Sequence, residues 1–186
     1  MFYFALFICL LIIFLEFKKR DLLLKIIRPV FYLSLLVAFS YVAYLIIGQY
    51  KAFNGSFMGY GLNSPSGLKW FWGYVGVHFL NSHLTSLVFA IIILFIAEYF
   101  NKKKGEIFME REEYHLSALG VFLVGYPGFI FYIPIVLISG IISSLIFMKN
   151  GERFPLYHFW IPIATIFLFI IEFWVKNKLF WKLFIF

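Results

Sequence analysis

Residues 115–148 read HLSALGVFLVGYPGFIFYIPIVLISGIISSLIFM, and none of these 34 positions holds Asp, Glu, Lys or Arg. A helix of this length would extend about 51 Å at 1.5 Å per residue, well beyond the roughly 30 Å hydrocarbon core of a bilayer. The tetrad GYPG at 125–128 is expected to break it, because proline lacks an N–H and clashes with the preceding turn. The stretch therefore predicts two membrane helices, the first of them short, or one bent helix.

The rest of the chain is similarly apolar. Its 186 residues are 63% hydrophobic and 13% charged, with a mean hydropathy of +0.94. Soluble domains carry about 25% charged residues, so this chain has too few polar residues to cover a water-exposed surface. The composition predicts an all-α, polytopic transmembrane helix bundle that forms a single integral membrane domain over residues 1–186. Five to six membrane segments are expected at about residues 1–17, 29–48, 70–100, 115–126, 128–148 and 155–175.

Basic residues predict the orientation of this bundle, because Lys and Arg concentrate on cytoplasmic loops. Five lie between the first two segments and four lie in residues 101–114, whereas residues 50–69 contain two. We therefore expect the N-terminus outside and both charged loops in the cytoplasm. The absence of a large soluble domain and of a transit peptide points to a prokaryotic inner membrane. Since short basic loops explain the net charge of +7, the expected partner is the lipid bilayer and not nucleic acid.

Acidic residues are concentrated at one segment boundary. Four of the nine in the chain lie within residues 101–120, namely Glu106, Glu110, Glu112 and Glu113. The predicted topology places Glu16, at the cytoplasmic end of the first segment, at the same depth as Glu112 and Glu113. Two neighbouring carboxylates can share a proton and activate water. The alternative is structural, since Glu at a helix N-terminus interacts favourably with the helix dipole.

The four histidines follow no metal-binding pattern. His78 and His83 lie about 140° apart around one helix, and His115 and His158 lie near the cytoplasmic boundary if the chain crosses six times. No spacing favours haem ligation, and we expect neither a cofactor nor a metal. The chain has a single cysteine, Cys9, inside the first apolar segment, so it cannot form an internal disulfide.

Residues 112–120, EEYHLSALG, are similar to a stretch of prepilin peptidases (type IV leader peptidases) that runs from a Gly-x-Gly-Asp motif to Ala-Leu-Gly. A short helix with a glycine break and a second helix with small residues follow, as they do in that family. Residues 151–156, GERFPL, resemble the family's Arg-x-Ile-Pro-Phe segment. The resemblance covers roughly residues 84–171, and residues 10–36 more loosely.

Prepilin peptidases are intramembrane aspartic peptidases, and the resemblance implies two cytoplasmic aspartates that cut a leader peptide from a pilin-like substrate. The matching positions here hold Glu112 and Glu16, and Met109 and Arg111 stand where the motif has glycines. The one aspartate of the chain is Asp21, so one chain cannot form an aspartyl dyad. The longer Glu side chain displaces the carboxylate by about 1 Å, which costs on the order of 100-fold in rate.

The expected function is therefore a non-catalytic scaffold or accessory subunit of the inner membrane, with pilin-like precursors or other membrane subunits as partners. Two alternatives stay open: an active intramembrane acid peptidase with Glu16 and Glu112 as its tentative catalytic pair, and a structural subunit of a larger membrane complex. The geometry of the two carboxylates distinguishes these possibilities. A separation within about 6 Å in a cavity that water reaches would favour a like-charge pair and the enzyme.

Overall fold

The computed structural model describes residues 1–55, 64–103, 111–147 and 156–175, and within these ranges the chain forms six helical segments and no β-strand. The segments are α1 (Phe2–Lys18), α2 (Arg20–Asn54), α3 (Pro65–Lys103), α4 (Arg111–Val124), α5 (Phe129–Phe147) and α6 (157–175). The side chains of residues 111, 112, 174 and 175 lie outside the described part. The all-α bundle predicted from composition is confirmed.

Three of the described helices, α2, α3 and α5, are long and apolar enough to cross a membrane. Two of the other helices, α1 and α4, are shorter than these three. The 17 residues of α1 extend about 25 Å and the 14 residues of α4 about 21 Å, against a hydrocarbon core of about 30 Å. This architecture is compatible with a membrane protein, and the number of crossings stays a prediction.

Helix α2 begins at Arg20 and so extends well before the apolar segment predicted from residue 29. Lys and Arg are good helix formers, and Lys25 and Arg28 lie on its exposed side. The opposite side buries Leu23 and Ile27 at a spacing of four residues, which is one face of a helix. The basic stretch is therefore helical because it carries its own buried stripe.

The short helix α4 lies at the centre of the bundle, in contact with α2, α3, α5 and α6. Its residues 116–122 are all buried, as is typical of a helix covered on every side. Gly120 permits a close approach, because a Cβ atom there would overlap the hydroxyl of Tyr132 on α5. That hydroxyl donates to the carbonyl of Trp160 on α6 at 2.6 Å, so α4, α5 and α6 meet at one point.

Contacts at the two ends of the bundle define the helix directions. At one end, which we call the acidic end, Glu16 of α1 meets His158 of α6. At the other, Phe2 of α1 packs against Phe169 and Phe173 of α6, with ring centroids 5.7 and 5.9 Å apart. Helices α1 and α6 are therefore antiparallel. By the same criterion α4 is parallel to α6, because Glu113 contacts Tyr157 at the acidic end, and Val124 and Ile171 both lie against Gly128 at the opposite end.

The chain reverses direction between α4 and α5 at residues 125–128, the tetrad that the sequence predicted to break the helix; we call this the turn end of the bundle. Gly125 has a φ of 75°, a left-handed conformation that suits glycine after a helix. The N–H of Tyr126 donates to Ser86 at 2.7 Å, and its carbonyl accepts from Ser82 at 3.1 Å. Two serines of α3 thus satisfy irregular backbone that apolar surroundings would leave unpaired.

Candidate functional site

Polar side chains from three helices converge at the acidic end of the bundle. Glu16 comes from the last turn of α1, Glu113 from the first turn of α4, and Tyr157 and His158 from the first turn of α6. We call these four residues the acidic cluster. They are brought together by the directions of the helices, since α1 ends where α4 and α6 begin.

Glu113 holds the start of α6. Its side chain is buried, with 2% of the residue exposed, and its Oε1 atom accepts a hydrogen bond from the backbone N–H of Tyr157 at 2.8 Å. The N-cap of α6 is Leu156, which makes no side-chain capping bond because leucine has no acceptor. A carboxylate from another helix therefore satisfies one of the N–H groups that every helix start leaves open, and its charge suits the positive end of the helix dipole.

Glu16 ties α1 to the same turn. Its Oε1 atom lies 2.5 Å from Nδ1 of His158, and its side chain is 4% exposed against 38% for the histidine. When the carboxylate is ionised it only accepts hydrogen bonds, and Nδ1 of His158 is then the donor. A buried carboxylate without such a donor would be strongly unfavourable. The pair therefore holds the end of α1 against the start of α6.

A basic side chain lies over the cluster. The guanidinium carbon of Arg20, at the start of α2, lies 4.4 Å from the ring centroid of Tyr157, which is a cation–π contact. The ring of Tyr157 also packs against His158, with centroids 3.9 Å apart. Arg20 thus places a positive charge near the Glu16 carboxylate and adds α2 to the helices that meet here.

A further polar contact joins α3 to α4 at the same end. Asn101 is fully buried, and its side-chain amide donates to the hydroxyl of Tyr114. Near the end of α3, Lys102 and Glu98 form an exposed ion pair at 2.6 Å. Exposed pairs of this kind contribute little to stability, so the buried Asn101 contact is the more important of the two for fixing α3.

The acids singled out by sequence have different positions. Glu16 belongs to the acidic cluster. The backbone of Glu112 lies in the first turn of α4, and its side chain lies outside the described part of the chain, as do residues Glu106 and Glu110 altogether. In the described part, the acid of α4 that enters the cluster is Glu113. Because residues 116–122 are buried on every side of α4, helical periodicity does not distinguish Glu113 from Glu112, and no pattern in the sequence selected Glu113.

The chemistry of the acidic cluster follows from these partners. The carboxylates of Glu16 and Glu113 both bind donors on α6, a histidine ring in one case and a backbone N–H in the other. Their geometry suits helix-to-helix attachment. Among the described residues, no group of three or more His, Cys, Asp or Glu side chains could hold a metal ion.

Comparisons of this chain with protein-family models, with curated proteins and with solved structures found no match. The likeness to prepilin peptidases therefore rests on the residues quoted above.

Replacing Glu113 tests the capping role of its carboxylate. Glu113→Ala should lower the free energy of unfolding by about 1–3 kcal/mol, because a buried N–H of α6 loses its acceptor. Glu113→Gln keeps an acceptor oxygen and should lose only the charge–dipole contribution of about 0.3–1 kcal/mol. Unfolding can be followed in detergent with a thiol-reactive fluorophore, since the single cysteine, Cys9, is fully buried. Equal stability of the Ala and Gln variants would contradict the capping role.

Proposed function

We propose that this chain is a multi-pass inner-membrane protein, related to prepilin peptidases, that acts as a non-catalytic scaffold or accessory subunit. The observation that supports this proposal is the use of the acidic cluster to join helices. Glu113 binds a backbone N–H and Glu16 binds His158. A carboxyl pair that activates water must instead share its proton between two facing carboxyl groups.

The residue types at the family's catalytic positions support the same proposal. Glu16 and Glu112 replace both aspartates, and the chain has a single aspartate, Asp21. Asp21 lies in the first turn of α2, where an acid is favoured by the helix dipole. The acidic residues of this chain therefore do not provide the aspartyl dyad that the family's reaction uses. The contacts that these residues make agree with a role in holding membrane helices together.

An active acid peptidase is the second candidate, with Glu16 and Glu112 as its pair. One observation favours it: Glu16 and the backbone of Glu112 lie at the same end of the bundle, on α1 and α4. In such a reaction one carboxylate takes a proton from the attacking water while the other carboxyl group protonates the peptide carbonyl oxygen. This candidate requires the Glu16 carboxylate to exchange its contact with His158 for one with Glu112.

Leader-peptide cleavage distinguishes the two candidates. The purified protein in lipid nanodiscs is incubated with a pilin-like precursor, and the products are identified by mass spectrometry. We expect no cleavage by the wild type, Glu16→Gln or Glu112→Gln. The matched control is Glu98→Gln, which removes the same charge from an exposed pair on α3. Cleavage by the wild type and by Glu98→Gln, but not by the other two variants, would overturn the non-catalytic proposal.

Retention of the precursor distinguishes an accessory subunit from the third possibility, a structural subunit of a larger membrane complex. An accessory subunit should retain the uncleaved precursor on an affinity-tagged protein after washing. A structural subunit of an unrelated membrane complex should not retain it.

The proposed orientation places the acidic end in the cytoplasm and the N-terminus outside. The distribution of basic residues along the described helices supports it, since such residues concentrate on the cytoplasmic side. The helix ends near the acidic cluster carry Lys18, Arg20, Lys102 and Lys103, whereas the far ends of α2 and α3 carry Lys51 and Lys69.

Cysteine labelling tests this orientation. Lys51→Cys and Lys18→Cys both place a thiol at an exposed position, and the native Cys9 is buried and serves as the unreactive background. In intact cells, a membrane-impermeant maleimide should label Lys51→Cys, and it should label Lys18→Cys only after permeabilisation. The reverse pattern would contradict the proposed orientation.

A further inference from the structure

The helices of this bundle differ greatly in length. Helix α1 has 17 residues and α5 has 19, which at 1.5 Å per residue extend about 25 and 28 Å. Helix α2 has 35 residues and α3 has 39, which extend about 52 and 58 Å. The two long helices therefore reach well beyond the others.

Both long helices continue past the turn end. Ala38 of α2 lines a cavity of about 240 Å³ there, together with Ala5 of α1 and Ser82 of α3. The hydroxyl of Ser82 also donates to the backbone of Tyr126 in the turn. Residues 39–54 of α2 and 65–81 of α3 therefore lie beyond the turn end, over a length of about 24 Å. We call these two helix ends the arm.

The arm has an apolar core of its own. Phe71 and Val75 are buried there and are packed by Ile46, Phe53 and Leu80, in a cluster separate from the main core of the bundle. The rings of Phe53 and Phe71 pack edge to face, with centroids 5.9 Å apart. The two helix ends therefore pair with each other beyond the other four helices.

The outer surface of the arm is also apolar. Residues 39–50 and 70–81 contain no Asp, Glu, Lys or Arg, and Tyr44 and Trp72 are among the exposed large side chains. Lys51 and Lys69 follow near the tip, beside tryptophans that suit the boundary between a bilayer and water. This pattern indicates that hydrocarbon surrounds the arm almost to its tip.

The turn end, at the foot of the arm, is polar by contrast. Ser82, His83 and Glu172 all lie on the wall of the cavity. Lys51 is 13 residues beyond Ala38, so hydrocarbon that reached the level of the tip everywhere would cover the turn end by about 20 Å. Polar and ionisable groups are costly at such a depth. The arm and the turn end therefore need the bilayer surface at two different levels.

A common tilt of the helices does not remove this difference, because tilting shortens the span of long and short helices in the same proportion. A bilayer adapts to a short hydrophobic segment by becoming thinner beside it, and to a long one by becoming thicker, at a modest cost for each ångström. Both adaptations are needed around this protein, on opposite sides of the bundle.

We propose that this protein holds a step in the bilayer: lipids of full hydrocarbon thickness lie against the arm, and the leaflet is thinned beside α1 and α6, where water reaches the turn end. The interaction surface is the exposed side of the arm together with the turn end, and its partner is a phospholipid bilayer. The inference rests on the proposed membrane placement. It depends neither on a relation to peptidases nor on the orientation of the chain.

Thiol labelling in nanodiscs tests the step, because both faces of a nanodisc are open to the reagent. Tyr3→Cys places a thiol at the turn end and Tyr44→Cys places one on the arm, at tyrosines that are 82% and 71% exposed. Tyr44 lies about 9 Å beyond Ala38 along α2, and hence closer to water in a bilayer of uniform thickness. In dioleoyl lipids we expect a membrane-impermeant maleimide to label Tyr3→Cys about tenfold faster, because a thiol in hydrocarbon rarely forms the reactive thiolate.

Three comparisons serve as controls. After unfolding in urea and SDS, the two variants should react at equal rates, and the buried Cys9 reports that each variant is folded beforehand. Phe173→Cys, at an exposed position of α6 near the turn end, should be labelled as fast as Tyr3→Cys. In lipids with myristoleoyl chains in place of oleoyl chains, the arm should emerge from the thinner bilayer, and Tyr44→Cys should then be labelled as fast as Tyr3→Cys.

The possible contrary results are distinct. Labelling of Tyr44→Cys in dioleoyl lipids at least as fast as that of Tyr3→Cys would show that the arm projects into water. Protection of both Tyr3→Cys and Phe173→Cys would show that hydrocarbon covers the turn end. Either result would overturn the step. A protein that does not enter nanodiscs at all would refute the membrane placement itself, and this is seen before any labelling.

Discussion

The start of α6 is held by a carboxylate that belongs to another helix, and the arrangement of the acidic end depends on this contact. A helix start leaves N–H groups without intrahelical partners, and Leu156 has no side-chain acceptor with which to cap them. Glu113 supplies one acceptor from α4. Once the first turn of α6 is fixed, His158 is in place to bind Glu16 of α1, and Tyr157 is in place beneath Arg20 of α2.

The need of unpaired backbone groups for hydrogen-bond partners also explains the contacts at the turn end of the bundle. Helix α4 has 14 residues, and the backbone that follows it needs protein partners for its polar groups where the surroundings are apolar. At the C-terminal end, the hydroxyl groups of Ser82 and Ser86 bind the backbone of Tyr126. The short central helix thus concentrates polar side chains at its two ends. The acidic cluster lies at one end and the cavity with Glu172 lies at the other.

The sequence predicted the helical class and the break at residues 125–128 for direct physical reasons. Apolar runs of membrane length admit only helices or closed barrels, and proline with two glycines interrupts a helix wherever it lies. The helical start of α2 was not anticipated, because the charges of residues 18–28 suggested a loop. The charged residues there remain exposed while Leu23 and Ile27 are buried.

The candidate site was less predictable, because it depends on contacts between distant parts of the chain. Glu16 was singled out from its predicted depth in the membrane, but its partner His158 lies 142 residues away and had no assigned role. Glu112 was preferred to Glu113 by its match to a motif, whereas the partner of Glu113, the N–H of Tyr157, lies 44 residues away along the chain. The cavity at the turn end could not be foreseen, since its lining comes from five helices that are distant along the chain.

A double-mutant cycle on Glu16 and His158 tests the central claim, that the acids of this chain join helices. The free energy of unfolding is measured for the wild type, Glu16→Ala, His158→Ala and the double variant. Residues in direct contact show coupling energies of about 0.5–3 kcal/mol, and we predict a favourable coupling within this range. Additivity of the two single effects to within about 0.3–0.5 kcal/mol would contradict the claim, because it would mean that the pair does not hold α1 to α6.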